Sequence, residues 1–282
     1  MYNSQAVRVA VIPAAGMGTR MLPLTRAVPK ELLPIGNLPM LHYAICEALS
    51  AGVTDVFVII NKERKPAIEH FYQRIGQESD GTTLPFGITM PMLQQSNLVF
   101  LHQPRALGIV DAVAKSKKYI GQAPFFLLMP DNILWGEQSA CSQLQVAFRE
   151  YGLSVLGLVE VTPATAPLFS NSGHVTLKEI REDVFYVIAL QDKSRESFQL
   201  AGQQTVLRSC GRTILTAEFF DLAQRFSQDE LSRKDEVPIL QALEQGKRLL
   251  GKRLHGDLFD CGNWRGYWAA NKFWMQKQQL WS

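Results

Sequence analysis

The sequence predicts an α/β fold, a doubly wound and mostly parallel mixed sheet flanked by helices, on three observations. Residues 7–13 (VRVAVIP) are apolar and β-branched with little alternation, the pattern of a strand covered on both faces. A long loop, the helical run PMLHYAICEALSAG and a second apolar run, TDVFVII, complete a βαβ unit within about 55 residues, and such crossovers are almost always right-handed. Strand-like and helix-like stretches then keep alternating to the C-terminus, with no internal repeat, low-complexity tract or linker.

Taken in order, Leu41, Ile45, Ala48 and Leu49 share one face of the first helix, and Gly52 stands where a C′ glycine ends it. A short helix is expected over 65–72, and the polar stretch 74–97, which carries glycine and proline, reads as an excursion from the sheet. NLVFLHQ is the next strand, PRALG a loop and IVDAVAKSKKYIG a helix. APFFLLMP is the most apolar strand and ends at Asp131, where an open α/β sheet presents its chemistry. A helix over 139–151, a strand SVLGLVEV and shorter strands over 171–200 come next. SCGRTILTAEFFDLAQRF reads as strand then helix, DEVPILQALEQG as a helix, KRLLGKRLHGDLFDCGN as a strand, and the aromatic run from Trp264 to Trp281 as a closing helix.

With 282 residues and 46% hydrophobic content the chain can bury a sizeable core, which excludes disorder. A formal charge of +3 spread along the chain argues against a nucleic-acid or membrane surface. The N-terminus runs into a core strand without a leader pattern, and the longest apolar run falls far short of the roughly 18 residues of a membrane span; a cytoplasmic protein is expected. Cys46, Cys141, Cys210 and Cys261 lack CxxC or zinc spacing and read as packed, reduced thiols.

The stretch 11–34, VIPAAGMGTRMLPLTRAVPKELLP, carries the chemistry. It leaves a buried strand, passes Gly16 and Gly18, and brings Arg20, Arg26 and Lys30 through a loop too rich in proline for a helix. Loops of this length between elements are usually functional or disordered, and this one starts on a strand and ends before an amphipathic helix. Glycines without Cβ bulk let backbone N–H groups approach phosphate oxygens, and Arg20 and Lys30 add positive charge. A dinucleotide fingerprint is disfavoured, since Met21 holds the third glycine position and the second strand ends at Asn61 rather than an acid. No GxxxxGK[ST], HExxH or clustered His/Cys ligands occur.

GMGTRMLPLTRAVPKELLPIGNLPM resembles the signature of the sugar-1-phosphate nucleotidylyltransferases, most closely the bacterial UTP-glucose-1-phosphate uridylyltransferases with their G-x-G-T-R-x-x-P-x-T-x-x-x-P-K-E pattern. The resemblance extends to His102-Gln103 with Gly108, to PDNI, to Gly211-Arg212 and to FDCGNWRGY. It implies a Rossmann-like sheet of the nucleotide-diphospho-sugar transferase type, forming one nucleotidyltransferase domain. The nucleotide would lie in the half up to about residue 135, and the sugar phosphate and oligomer contacts in the half from about 136 to 282.

The implied reaction joins UTP and glucose-1-phosphate into UDP-glucose with release of pyrophosphate. By the same resemblance Arg20 and Lys30 hold the triphosphate, with Gly18 and Thr19 in the same loop. Ala14, Ala15 and Gly16 line the base and ribose, and Gln103 and Gly108 read the pyrimidine edge. Asp131 and Asp260 match the Mg2+ carboxylates, Lys193 the lysine on the sugar phosphate, and Gly173 a backbone contact to the sugar. A homodimer or homotetramer is implied, and part of the aromatic helix, with Trp264, Tyr267, Trp268, Phe273 and Trp274, is expected to be a contact between copies.

The departures fall on the base and sugar walls. Asp192-Lys193-Ser194 replaces Glu-Lys-Pro, and Ile109-Val110-Asp111 replaces a leucine-glycine-histidine type of run, which puts Asp111 beside the nucleotide. Trp264 replaces a lysine, and Lys234-Asp235-Glu236 a glycine-glutamate turn. Two alternatives therefore stand beside the main reading. One keeps the chemistry with dTTP or another hexose-1-phosphate; the other is a catalytically weak regulatory paralogue that binds nucleotide sugar.

Overall fold

A computed structural model describes residues 6–75, 84–169, 173–191, 200, 204–227, 230 and 235–278. Its centre is a nine-stranded sheet. In chain order the strands are β1 (Val9–Pro13), a small hairpin β2 (Pro34–Ile35) and β3 (Leu38–Pro39), β4 (Asp55–Ile60), β5 (Asn97–His102), β6 (Phe125–Leu128), β7 (Asn132–Trp135), β8 (Ser154–Val161), β9 (Gly173–Arg181), β10 (Val184–Leu190), β11 (Val206–Leu215), β12 (Leu249–Arg253) and β13 (Asp257–Asp260). The large sheet has the order β5-β4-β1-β6-β11-β8-β12-β10-β9. Strands β5, β4, β1 and β6 are parallel, β11 is antiparallel to both β6 and β8, and β12 is parallel to β8. Strands β10 and β9 complete it with antiparallel pairings. The mostly parallel mixed sheet is the one expected.

The helices are α1 (Met40–Ser50), α2 (Pro66–Arg74), α3 (Met90–Gln95), α4 (Ile109–Ala114), α5 (Lys117–Ile120), α6 (Ala140–Tyr151), α7 (Glu218–Ala223), α8 (Val237–Gln245) and α9 (Trp264–Lys277). One apolar cluster on the sheet contains Ile12, Val58, Leu128, Val155 and Ile214 with α1 and α6; a second contains Val11, Ile59, Leu127 and Leu158 with α4, α7 and α8. Strands buried on both faces thus carry apolar residues at consecutive positions, which is why VRVAVIP does not alternate.

Two expectations change, and a third gains detail. IVDAVAKSKKYIG forms two short helices rather than one, since Ser116 Oγ donates to Val113 O at 2.6 Å at the break, a local bond that competes with the helical ladder. KRLLGKRLHGDLFDCGN is not one strand: Gly256, with φ 141°, turns the chain between β12 in the large sheet and β13, which pairs with β7 instead. The excursion over 74–97 contains α3, whose cap Thr89 accepts a hydrogen bond from Met92 N at 3.4 Å.

α9 packs on the β2–β3 hairpin that follows Lys30. Tyr267 Oη donates to Pro34 O at 3.0 Å, and Gly36 N donates to Asn271 Oδ1 at 3.0 Å. Gly36 has φ 62° and its missing Cβ would strike the Trp274 ring, so both its conformation and its bareness are required there. Trp264 and Trp268 stack on each other at 6.2 Å, and Trp268 is 62% exposed. No helix among the described residues is long and apolar enough to cross a membrane.

Candidate active site

A cleft of about 510 Å3 opens at the C-terminal ends of β1, β5 and β6 and is closed on its far side by β9 and β11, the position an open α/β sheet offers to ligands. Of the residues singled out in the sequence, Ala15, Gly16, Arg20, Lys30, Gln103, Gly108, Asp131, Gly173 and Asp260 line it. Ala14 lies just beneath, fully buried. Gly18 and Thr19 belong to the turn that shapes the loop and do not line the cleft. Asp111 sits behind Gln103. Asp192 and Lys193 lie outside the described residues.

The loop after β1 is built from three single 3-10 turns, Thr19–Met21, Leu24–Arg26 and Lys30–Leu32. Gly18 starts the first in a left-handed conformation (φ 64°), and its carbonyl accepts from Thr25 Oγ1 at 2.9 Å, which ties the first turn to the second. Met21, at the position where a dinucleotide fingerprint has glycine, is fully buried and anchors the loop to the core. Nothing lies within 4 Å of where a Gly16 Cβ would stand, so this backbone stays bare toward the cleft.

Asp131 is the electrostatic centre. Its Oδ2 accepts from Lys30 Nζ at 2.6 Å and from Arg20 Nη2 at 3.4 Å, and Asn132 Nδ2 reaches Oδ1 at 3.2 Å. Burial alone would raise this carboxyl, but Lys30 and Arg20 together hold it at about 2. Burial likewise works against charge on Lys30, and Asp131 and Glu31 overcome it to raise the ammonium above its ordinary value. The pair is charged at neutral pH.

The second carboxylate arrives through β13. Its pairing with β7 sets Asp260 opposite Asn132, and Cys261 N donates to Asp131 O at 2.7 Å. Arg20 spans both acids, with Nη1 3.8 Å from Asp260 Oδ2. Gly262 N donates to Asp260 Oδ1 at 3.1 Å, while a Cβ on Gly262 would collide with Asp131 and Arg20. The bare Cα at position 262 thus lets Asp131 and Arg20 close in beside Asp260.

Several contributors were not assigned from the sequence. Lys65, at the start of α2, donates to Glu31 Oε2 at 2.7 Å and to Ala14 O at 2.8 Å, fixing the two ends of the loop against each other. Arg208 lines the far wall, 5% exposed, with its guanidinium 4.6 Å from the Phe169 ring. Burial lowers its pKa and Asp260 opposes that. Arg212 is buried against Glu47 of α1, with Nε 2.9 Å from Oε1 and Nη2 3.0 Å from Oε2. It also donates to Met129 O at 2.6 Å and to Asn132 O, and so holds the β6–β7 corner that carries Asp131. Charges inside the strand-like run VLRSCGR were the available signal, but a sequence does not say that Glu47 lies opposite.

Two acidic oxygens beside two cations, at the mouth of a bare glycine turn, suit a polyphosphate and a small hard cation. A family model described as nucleotidyl transferase matches residues 9–277. The UTP-glucose-1-phosphate uridylyltransferase of Pseudomonas aeruginosa is 29% identical over 278 residues, 95% of each chain, and the enzyme of that name from Mycoplasma pneumoniae is 28% identical over 274 residues, covering 95% of this chain and 92% of its own. Among solved structures, a UDP-glucose pyrophosphorylase complexed with UDP-glucose aligns with a TM-score of 0.79 at 22% identity over 96% of this chain and 99% of that one. A UTP-bound enzyme of the same kind from Acinetobacter baumannii gives 0.76 at 20% identity, over 97% and 98%. The fold is therefore theirs, and with the family model running through nearly its whole length, the chain belongs to the nucleotidyl transferase family.

Proposed function

We propose that this nucleotidyl transferase makes UDP-glucose and pyrophosphate from UTP and glucose-1-phosphate. The observation that carries the reading is the end-to-end similarity to uridylyltransferases, over 95% of both chains for the Pseudomonas aeruginosa enzyme. The convergence of Arg20, Lys30, Asp131 and Asp260 supports it.

A phosphate oxygen of glucose-1-phosphate attacks the α-phosphorus of UTP in line with the leaving pyrophosphate. The protein's work is positioning and charge stabilisation. Arg20 and Lys30 offset the charge of the triphosphate and of the transition state. Ala15 and the bare backbone at Gly16 let the nucleotide lie close to the β1 end, above Ala14, and Gly18 and Thr19 shape the loop that presents Arg20. Gln103 and Gly108 face the pyrimidine, backed by Asp111. Gly173, Asp192 and Lys193 serve the sugar phosphate.

Asp131 and Asp260 would hold Mg2+, for which two carboxylates completed by phosphate oxygens and water are a fitting set. The bare Gly262, against which both carboxylates converge where a Cβ would strike Asp131, fits the same reading. When bound, the ion supplies electrostatic stabilisation of phosphate oxygens. The nucleotide is held by the half up to about residue 135 and the sugar phosphate by the rest. The enzyme works in the cytoplasm as a homodimer or homotetramer, with the exposed Trp268, stacked on the half-buried Trp264, as a contact surface.

A panel of UTP, dTTP and CTP against glucose-1-phosphate and other hexose-1-phosphates, read by pyrophosphate release, tests the substrates. The expected pair is UTP with glucose-1-phosphate; faster turnover with dTTP or another sugar phosphate would reassign them. UDP-glucose binding by calorimetry without pyrophosphate release from any pair would make the chain a regulatory paralogue.

A further inference from the structure

We propose that Asp111 sets nucleotide choice by fixing which way the Gln103 amide faces, an inference that rests on a pyrimidine triphosphate occupying the cleft. Gln103 leaves the end of β5 with its backbone tied down, its N donating to Ile60 O at 2.8 Å, and its side chain lines the cleft with only 3% exposure. Its Nε2 lies 2.8 Å from Asp111 Oδ2 and 3.1 Å from Gly108 O. A primary amide nitrogen has two hydrogens, and both are spent on these acceptors.

Turning the amide over would place Oε1 against the same two oxygens, replacing two hydrogen bonds with two repulsive contacts at a buried position. The amide therefore has one orientation, with Oε1 left for the ligand. Asp111 is itself held in the first turn of α4 by Lys115, whose Nζ lies 3.1 Å from Oδ1 one turn along.

An acceptor at this place suits the N3–H of uracil or thymine. Cytosine presents a lone pair at N3 and would meet Oε1 acceptor to acceptor. UTP and CTP are nearly equal in size, so their comparison isolates this edge. Asp111 touches Gln103 rather than the base and acts as a positioning residue.

The test compares kcat/KM for UTP and CTP in the wild type, in Asp111→Asn and in Asp111→Asn with Lys115→Met. An asparagine at 111 keeps the size. Lys115 draws its single amide oxygen, so its NH2 turns toward Gln103 and the Gln103 amide is no longer held in one orientation. The expected result is a wild-type preference for UTP that narrows by about tenfold or more in Asp111→Asn. It widens again in the double variant, where the asparagine oxygen is released to face Gln103. An equal loss for both nucleotides in Asp111→Asn, with the ratio unchanged, would reduce Asp111 to a structural role and overturn the inference. A wild type that turns over neither UTP nor dTTP would overturn the underlying reading and this one with it. Thermal melting of each variant separates altered choice from altered folding.

Discussion

Lys30 reaches Asp131 at 2.6 Å because both leave the sheet edge at the cleft, one from the loop after β1 and one from the end of β6. Removing the ammonium should strip charge stabilisation from the transition state while leaving the β6–β7 corner held by Arg212. Lys30→Met is expected to lose about 10^2–10^3 in kcat, with an unchanged far-ultraviolet spectrum; steady-state pyrophosphate release measures it, and a loss below threefold would count against the role. A different residue governs acid stability. His42 on α1 is fully buried, and burial lowers its pKa to about 4. The unfolded chain binds that proton more readily, so the contribution is complete above about pH 6.5 and is lost as the pH falls toward 4. Between pH 7.5 and 5, wild-type stability should drop by about 2 kcal/mol more than that of His42→Phe, read from urea unfolding at the two values. Equal losses would show that His42 is not the group responsible.

Among elements, the β7–β13 pair decides the site, since it brings Asp260 beside Asp131 across more than a hundred residues of chain. Both aspartates were legible in the sequence because each sits in a motif, and the ends of apolar strands could be read from their composition. The pairing was not legible: LFDCGN looks like a continuation of the preceding strand, and the turn at Gly256 that sends it to β7 has no strong local signature. The same limit hid the Glu47–Arg212 pair, which joins α1 to β11 and to the Asp131 corner. Arg212→Met strands a buried carboxylate and should cost about 3–5 kcal/mol, whereas Glu47→Leu combined with it should recover most of that loss; urea denaturation distinguishes the two. Gly262→Ala should lower turnover sharply with a smaller effect on unfolding, because the added Cβ intrudes between the two carboxylates. Wild-type turnover in that variant would show that the close approach of Asp131 and Arg20 to Gly262 is not needed.

At the scale of the whole molecule, the sheet joins two walls of unlike character. The wall from β1, β5 and β6 was readable nearly residue by residue, since the glycine turn, Arg20, Lys30, Gln103 and Asp131 stand in contiguous motifs. The wall from β9 and β11 was not: Arg208 is one charge inside a strand, and its burial against Phe169 follows from tertiary packing. The C-terminal helix divides the same way. Tyr267 and Asn271 bond the hairpin beyond Lys30, while Trp268 faces solvent. On the proposed function, these walls bring a nucleoside triphosphate and a sugar phosphate together for transfer. The most direct measurement of this mixes the purified wild-type protein with UTP, glucose-1-phosphate and magnesium and follows both products. Pyrophosphate and UDP-glucose appearing in equal amounts, at a rate that Asp131→Ala abolishes, is the predicted result; the absence of both products, or undiminished release in Asp131→Ala, would contradict it.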